Sequence, residues 1–190
     1  MKKQVYNLIS VIYTFFHFLI IKLFHFKNFN YNFIERFSPN TSIEIRNTGK
    51  LKLGKMVRAH TRTRLSVSSN GLLEIGDNTA FNYNCMVTCH KKIIIGNDCT
   101  FGPGVLIYDH DHDYSIGSKM NGHDFKCDDV IIGNNCWIGA NVIILRGTII
   151  GDNCVIGAGT ILKGKYADNL VIYNERNNIV KRIGREIDSE

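Results

Sequence analysis

Proline is scarce in this chain, with two residues in 190 against seventeen glycines. This scarcity excludes turns fixed by proline and favours turns made by glycine and asparagine. The hydrophobic fraction of 44% excludes a largely disordered chain. The length allows one cored domain with an appendage and is too short for two full-sized domains.

A small-x-small cleavage site is also lacking after the apolar N-terminal stretch, so no cleavable secretory signal is predicted. We therefore expect the six cysteines to be reduced thiols of a cytoplasmic protein. Cys85, Cys89 and His90 resemble half of a metal site, but no second pair follows them. A structural role is predicted for these three residues.

Formally charged side chains are absent from residues 4–21, which raises the alternative of a membrane-spanning helix. Polar residues argue against spanning, because they recur along one helical face: Lys3, Asn7, Ser10, Thr14 and His17. The remaining faces are apolar. Residues 1–40 are thus predicted to form an amphipathic helical segment that contacts either a membrane surface or neighbouring subunits, and the pattern does not separate the two.

Acidic residues are few where basic residues are dense, and the formal net charge is +6. Only Glu44 opposes a run of basic side chains made of Arg46, Lys50, Lys52, Lys55, Arg58, Arg62 and Arg64. The run indicates either an anionic partner or a solvated basic face. Nucleic-acid binding is not predicted, because the run has no interleaved exposed aromatics and no recognition motif.

The strongest pattern present is a six-residue repeat, which begins at Ile132, Ile138, Ile144, Ile150 and Ile156. A period of six fits a chain that turns a corner every six residues, so that three corners make one triangular coil. The fifth residue of each block is small enough to share the narrow interior. Cys136 and Cys154 occupy that position one coil apart and are predicted to stack inside the solenoid.

Similar blocks begin upstream at Leu53, Ile75, Phe81, Ile95 and Phe101. They predict about five coils over residues 41–167. An excursion over residues 108–130 interrupts the repeat with the sequence YDHDHDYSIGSKMNGHDFKCDDV. Such an excursion from a regular solenoid is more often functional than accidental. Residues 168–190 are predicted to cap the end with a short helix, since isoleucines recur there every four residues.

The repeats, the histidine at the root of the excursion and the return through IGNNCWIGANVIILRGTIIGDNCVIGAGTILK resemble the hexapeptide-repeat acyltransferases. Among these, residues 70–183 are most similar to the galactoside, maltose and polysaccharide O-acetyltransferases. The resemblance implies a mainly β fold, a single-stranded left-handed parallel β-helix. It also implies a homotrimer with active sites between subunits, which transfers an acetyl group from acetyl-CoA to a hydroxyl of a sugar or glycan intermediate.

The resemblance further implies that His110 is the catalytic base. An alcohol is a poor nucleophile until a base with a pKa near 7 takes its proton. Either Asp109 or Asp111 could orient the imidazole. His112 has the same chemistry and would share a face with His110 in an extended strand. The motif favours His110, and His112 is expected to contact the acceptor.

Other roles are implied in the same way. Asn82 would contact the acceptor, although a turn asparagine would look the same, and the backbone N–H of Ala140 would donate to the oxyanion. The residues expected to bind acetyl-CoA are Trp137, Gly139, Ala158, Gly159, Lys163, Lys181 and Arg182. Plain packing of Trp137 is an equally good interpretation. Where the family has a proline-rich turn, residues 165–169 read KYADN, which weakens the prediction of phosphate contacts.

Three alternatives stay open. A metal enzyme would need His90, His110 and His112 around one ion, but their spacing does not resemble the zinc enzymes of this fold, and no metal site is predicted. A non-catalytic carbohydrate-binding solenoid would have no need of the excursion. The same fold could also acetylate an amino sugar or an amino acid. The basic run and the N-terminal helix favour an anionic or lipid-linked acceptor at the inner membrane surface.

Overall fold

The computed structural model describes residues 2–32, 34–115 and 124–175. An N-terminal helix, α1, spans Lys2–Phe24 and leads into a solenoid of short strands. The strands lie in three parallel sheets, one for each side of the coil.

The first sheet has seven strands: β1 Phe29–Asn30, β4 Lys50–Leu53, β7 Leu72–Ile75, β10 Lys92–Ile95, β15 Val130–Ile132, β18 Ile149–Ile150 and β21 Lys165–Tyr166. The second sheet also has seven: β2 Arg36–Phe37, β5 Arg58–Ala59, β8 Ala80–Phe81, β11 Thr100–Phe101, β16 Trp137–Ile138, β19 Val155–Ile156 and β22 Val171–Ile172. The third has six: β3 Ser42–Ile45, β6 Arg64–Val67, β9 Met86–Cys89, β12 Leu106–Tyr108, β17 Ile143–Ile144 and β20 Ile161–Leu162.

Each coil places the first residue of its blocks inside. The register pairs Ile95 with Ile132 and Ile132 with Ile150, so like residues stack along the axis. All three isoleucines are buried. Cys136 and Cys154 are buried as well, as predicted for small interior residues. Repeated burial of such rows supplies the hydrophobic stabilisation of the solenoid.

Asparagines make many of the corners, as the scarcity of proline predicts. Asn84, Asn135, Asn141 and Asn153 all have positive φ angles near 55°, in the left-handed region that asparagine tolerates. Asn84 is therefore a turn residue.

The mainly β, parallel solenoid is confirmed, with about six turns where the repeats predicted about five. The additional turn is made by β1, β2 and β3, so the solenoid begins at Phe29, ahead of the boundary predicted at residue 41. At the other end it continues to Ile172, beyond the predicted boundary at 167. The predicted C-terminal helix lies outside the described residues.

The excursion leaves the solenoid after β12 as an antiparallel pair of strands, β13 His110–His112 and β14 Phe125–Cys127. Ion pairs fix its base to the coils on both sides. Arg146 of the following coil pairs with Asp111 and Asp128, and Lys91 of the preceding coil pairs with Asp129. The hairpin is thus held against the corner between the third and first sheets.

Candidate active site

His110 lies where the chain leaves the third sheet, and its partner is Asp109. The imidazole Nδ1 is 3.1 Å from Asp109 Oδ1, and the Asp109 side chain is fully buried. An ionised carboxylate only accepts hydrogen bonds, so Asp109 holds the proton of His110 on Nδ1 and leaves Nε2 free to act as a base. Asp109, of the two candidate aspartates, is the one the structure places on the ring.

Four further contacts hold the Asp109 carboxylate in place. It accepts hydrogen bonds from the backbone amides of His90, Lys91 and Lys92 at 2.7 to 3.0 Å, and the Cys89 thiol lies 3.5 Å from it. Burial alone would raise the pKa of Asp109, but the hydrogen bonds from His110 and from these amides outweigh it, and the pKa is lowered. Asp109 therefore stays ionised and fixed.

His90 stacks on His110, a contact that the sequence did not reveal. The two ring centroids are 3.7 Å apart and the planes differ by 18°. Phe125 of the hairpin closes the other side, with its ring edge-on to both histidines. Burial, followed by the neighbouring His110, lowers the pKa of His90. His90 is thus a neutral aromatic wall that restricts how the His110 ring can turn.

The remaining residues of the motif have other partners. Asp111 binds Arg146, with the guanidinium Nε 2.5 Å from Asp111 Oδ2, so it anchors the hairpin. His112 shares the face of His110, as predicted for an extended strand, and contacts Phe125, but it is exposed. Of His90, His110 and His112, only His110 pairs its imidazole with a buried carboxylate.

A cleft of about 410 Å³ opens beside the histidine pair. Its walls include Arg46, Ser68 and Ser69 from two earlier coils, with His90 and Phe125. A guanidinium and two hydroxyls are groups that bind anionic or hydroxylated ligands.

A second, more apolar groove of about 460 Å³ runs along the corner between the second and third sheets. It brings together five of the predicted residues: Asn82, Trp137, Gly139, Ala140 and Ala158. Trp137 is 60% exposed, so its ring is available to a ligand in the groove. Asn82 also caps its own turn, because its Oδ1 accepts the Tyr83 amide at 2.9 Å.

The backbone of this groove explains two of its residues. A Cβ on Gly139 would come within 2.7 Å of the Ala158 nitrogen, so glycine is required there for coils to stack. The Ala140 amide hydrogen has no acceptor among the residues that the structure describes, whereas its carbonyl accepts from Gly159. An unpaired amide beside a groove can donate to a ligand.

The two halves of the predicted site lie at the two corners that flank the strands of the third sheet. The groove is at the corner before β12 and His110 at the corner after it. We call the corner after β12 the histidine corner. Gly159 adjoins the groove as a turn residue with a φ of 69°. Lys163 instead follows β20, on the side of the histidine corner, and is exposed. Lys181 and Arg182 lie outside the described residues. One chain therefore does not combine His110 with the groove.

Metal ligands are not grouped in the described ranges: no set of three histidine, cysteine, aspartate or glutamate side chains there could hold an ion. His90 and His110 meet face to face, an arrangement that does not aim two nitrogens at one point.

The chain matches the bacterial transferase hexapeptide (six repeats) family over residues 129–164. It is similar to a putative lipopolysaccharide biosynthesis O-acetyl transferase, WbbJ, of Escherichia coli (strain K12). The identity is 29% over 150 residues, 75% of this chain and 76% of that protein. Six further acetyltransferase and nodulation proteins match over 39% to 58% of their own length.

Solved structures share the fold. A maltose O-acetyltransferase from Clostridium difficile 630 superposes with a TM-score of 0.51 at 28% identity, covering 75% of this chain and 70% of that one. The N-acyltransferase AntD from Bacillus cereus, solved with dTDP and 3-hydroxybutyryl-CoA, has a TM-score of 0.66 at 20% identity, covering 82% of each chain.

Proposed function

We propose that this chain, a hexapeptide-repeat acyltransferase, moves an acetyl group from acetyl-CoA to a hydroxyl of a sugar or glycan intermediate, with His110 as the general base. The observation that carries the proposal is the pairing of His110 with a fixed, buried, ionised Asp109. The O-acetyltransferases among its relatives support the donor and the class of acceptor.

The chemistry follows from the orientation of the imidazole. His110 Nε2 takes the proton of the acceptor hydroxyl while that oxygen forms a bond to the thioester carbon. Negative charge develops on the carbonyl oxygen, where the Ala140 amide of a neighbouring subunit can donate. The bond from carbon to sulfur then breaks, and the proton on Nε2 passes to the departing thiolate. Asp109 stabilises the imidazolium that exists between these two transfers.

The apolar groove suits the coenzyme. Gly139, Ala140 and Ala158 have small side chains or none, which leaves a flat surface for a pantetheine arm, and Trp137 offers an exposed ring. The cleft beside His90 is the complementary place for the acceptor. Its Arg46 pairs with Glu44 through Nε, but the side chain is 61% exposed and can still meet a glycan that carries negative charge.

We further propose a homotrimer in which the histidine corner of one subunit faces the groove of the next. The separation of the two halves by the third sheet supports this arrangement, since a cyclic assembly brings different corners of neighbouring copies together. We also propose that the enzyme acts in the cytoplasm. Its acceptor is a sugar, an anionic glycan or a lipid-linked intermediate at the inner membrane surface.

The first test is an acetyl-CoA consumption screen against sugars, nucleotide sugars, amino sugars and amino acids. We expect acetyl-CoA turnover with a hydroxyl-bearing sugar or glycan, and product analysis should find an ester. An amide product would contradict O-acetylation. Absence of both turnover and acetyl-CoA binding would contradict acyl transfer itself.

The shared site can be tested by mixing subunits. Ala158→Trp should fill the groove, and His110→Ala should remove the base, so each homotrimer should be inactive. Co-expressed together, they should form mixed trimers in which some interfaces join an intact His110 to an intact groove. Recovered turnover supports the trimer. A monomeric mass by light scattering at micromolar concentration, or no recovery in mixed trimers, contradicts it.

A further inference from the structure

The N-terminal helix docks on the solenoid through its polar stripe. The first coil of a solenoid exposes edge strands, whose backbone groups need partners. Thr14 provides them for Phe37: its Oγ1 accepts the Phe37 amide at 2.7 Å and lies 3.2 Å from the Phe37 carbonyl oxygen. Lys22 Nζ donates to the Phe29 carbonyl at 2.5 Å. The helix is therefore an end cap, and its polar residues are used inward.

Phe18 adds an apolar contact in the middle of this cap. It is buried, and its ring lies 5.0 to 5.1 Å from the rings of Phe29, Tyr31 and Phe37. Phe29 and Phe37 are core residues of the first coil. The docked position of α1 is thus fixed by both hydrogen bonds and aromatic packing.

Inward use of the polar stripe leaves the apolar residues of α1 outside. Large side chains that are 40% to 74% exposed follow the whole helix: Val5, Leu8, Ile9, Val11, Ile12, Phe15, Phe16, Leu19, Ile20 and Leu23. A continuous apolar face of this size is unusual on a protein surrounded by water and indicates a contact.

The exposed charges around this face are cationic. Residues 1–34 contain no acidic side chain. Lys27 is exposed just beyond the helix, and Arg36 and Arg58 line a groove beside Val11, to which the buried Glu35 also contributes. An apolar face bordered by cations is complementary to the surface of a membrane that contains anionic lipids.

We propose that α1 is a membrane-binding end cap, which lies flat on an anionic lipid surface with its outer face in the headgroup boundary. By length and composition, residues 4–24 would suffice to cross a membrane. Crossing would require Thr14 and Lys22 to abandon their backbone partners in the first coil, so the docked helix lies along the surface. This inference concerns a surface remote from His110 and does not depend on acyl transfer.

The experiment adds the purified full chain to phosphatidylcholine vesicles, with and without phosphatidylglycerol, and measures co-sedimentation. We expect binding to the anionic vesicles, weakened by salt. The double substitution Leu8→Gln with Phe16→Gln should reduce vesicle affinity about tenfold or more, because both side chains leave water on binding. Its melting temperature and mass in solution should match the wild type.

The matched control is Val171→Gln with Tyr173→Gln, which removes two side chains that are each 69% exposed at the other end of the solenoid. This control should bind vesicles like the wild type. Three results would overturn the proposal: a wild type that ignores anionic vesicles, a helix variant that binds them unchanged, or a helix variant whose assembly falls apart without lipid. The last result would mean that the face docks on another subunit.

Discussion

The carboxylate of Asp109 accepts a hydrogen bond from the His110 imidazole. The same carboxylate also accepts hydrogen bonds from the backbone amides of three residues of the preceding coil, His90, Lys91 and Lys92. The proposed base, His110, is therefore oriented by the backbone of the solenoid itself, through a single buried side chain. The coil fixes Asp109, and Asp109 fixes His110.

Replacing this carboxylate should damage catalysis. Asp109→Asn should lower kcat by about two orders of magnitude or more, since an amide no longer compensates the charge of the imidazolium and can hold the wrong tautomer. Asp111→Asn is the control, because Asp111 binds Arg146 and does not touch His110. Steady-state kinetics of the two variants, each checked for its melting temperature, decide the assignment. Equal losses would contradict it.

The histidine stack predicts a role for ring shape at position 90. His90→Phe keeps an aromatic wall against His110 and should retain most of the turnover, whereas His90→Ala should lower kcat by about tenfold, with little change in the KM for acetyl-CoA. A residue needed only for folding would instead change the melting temperature without this split. Equal kcat values for His90→Phe and His90→Ala would show that the stack does not position the base.

The solenoid could be predicted because an apolar residue points inward every six positions, and this period fits a three-cornered coil. The first coil escaped prediction because Phe29 and Phe37 do not stand in isoleucine-glycine blocks. The outward direction of the apolar face of α1 could not be predicted either. Amphipathicity shows which residues share a face, but it does not show which face docks on the solenoid. His110 could be found from its motif. The sequence groups His90 with His110 only as possible metal ligands. Their stacking could not be predicted, because the coil that joins them has twenty residues where the regular coil has eighteen, as the pairings of Val87 with Ile107 and of Ile132 with Ile150 show.

The buried cysteines predict a stability effect without a catalytic one. Cys136 and Cys154 point into the coil, where each thiol lies 3.2 Å from a carbonyl oxygen. Cys136→Ser or Cys154→Ser should lower the free energy of unfolding by about 1 kcal/mol, since a hydroxyl is more costly to bury. Denaturant unfolding and acetyl-transfer assays measure the two effects. A folded serine variant without turnover would assign these thiols to the reaction.

Glu35 predicts a pH dependence of stability. Burial raises its pKa to about 8, although the nearby backbone amides of Val57 and Asn32 act against this. In the unfolded chain the carboxyl ionises near its ordinary value, so the folded state holds the extra proton between these two values. Stability should therefore fall as the pH rises from about 4.5 to about 8. Glu35→Gln should raise the melting temperature by several degrees at pH 8.5 and change it little at pH 4.5. The same shift at both pH values would contradict the prediction.

The most direct test of the account compares His110→Ala with His112→Ala. Both remove a hairpin imidazole, but only His110 is paired with the buried Asp109. His110→Ala should lower turnover by roughly two to four orders of magnitude, the usual contribution of a positioned general base, and leave acetyl-CoA affinity nearly unchanged. His112→Ala should cost far less, and a chelator should not affect the wild type. Equal losses in the two variants, or turnover of His110→Ala close to that of the wild type, would contradict the assignment of His110 as the base.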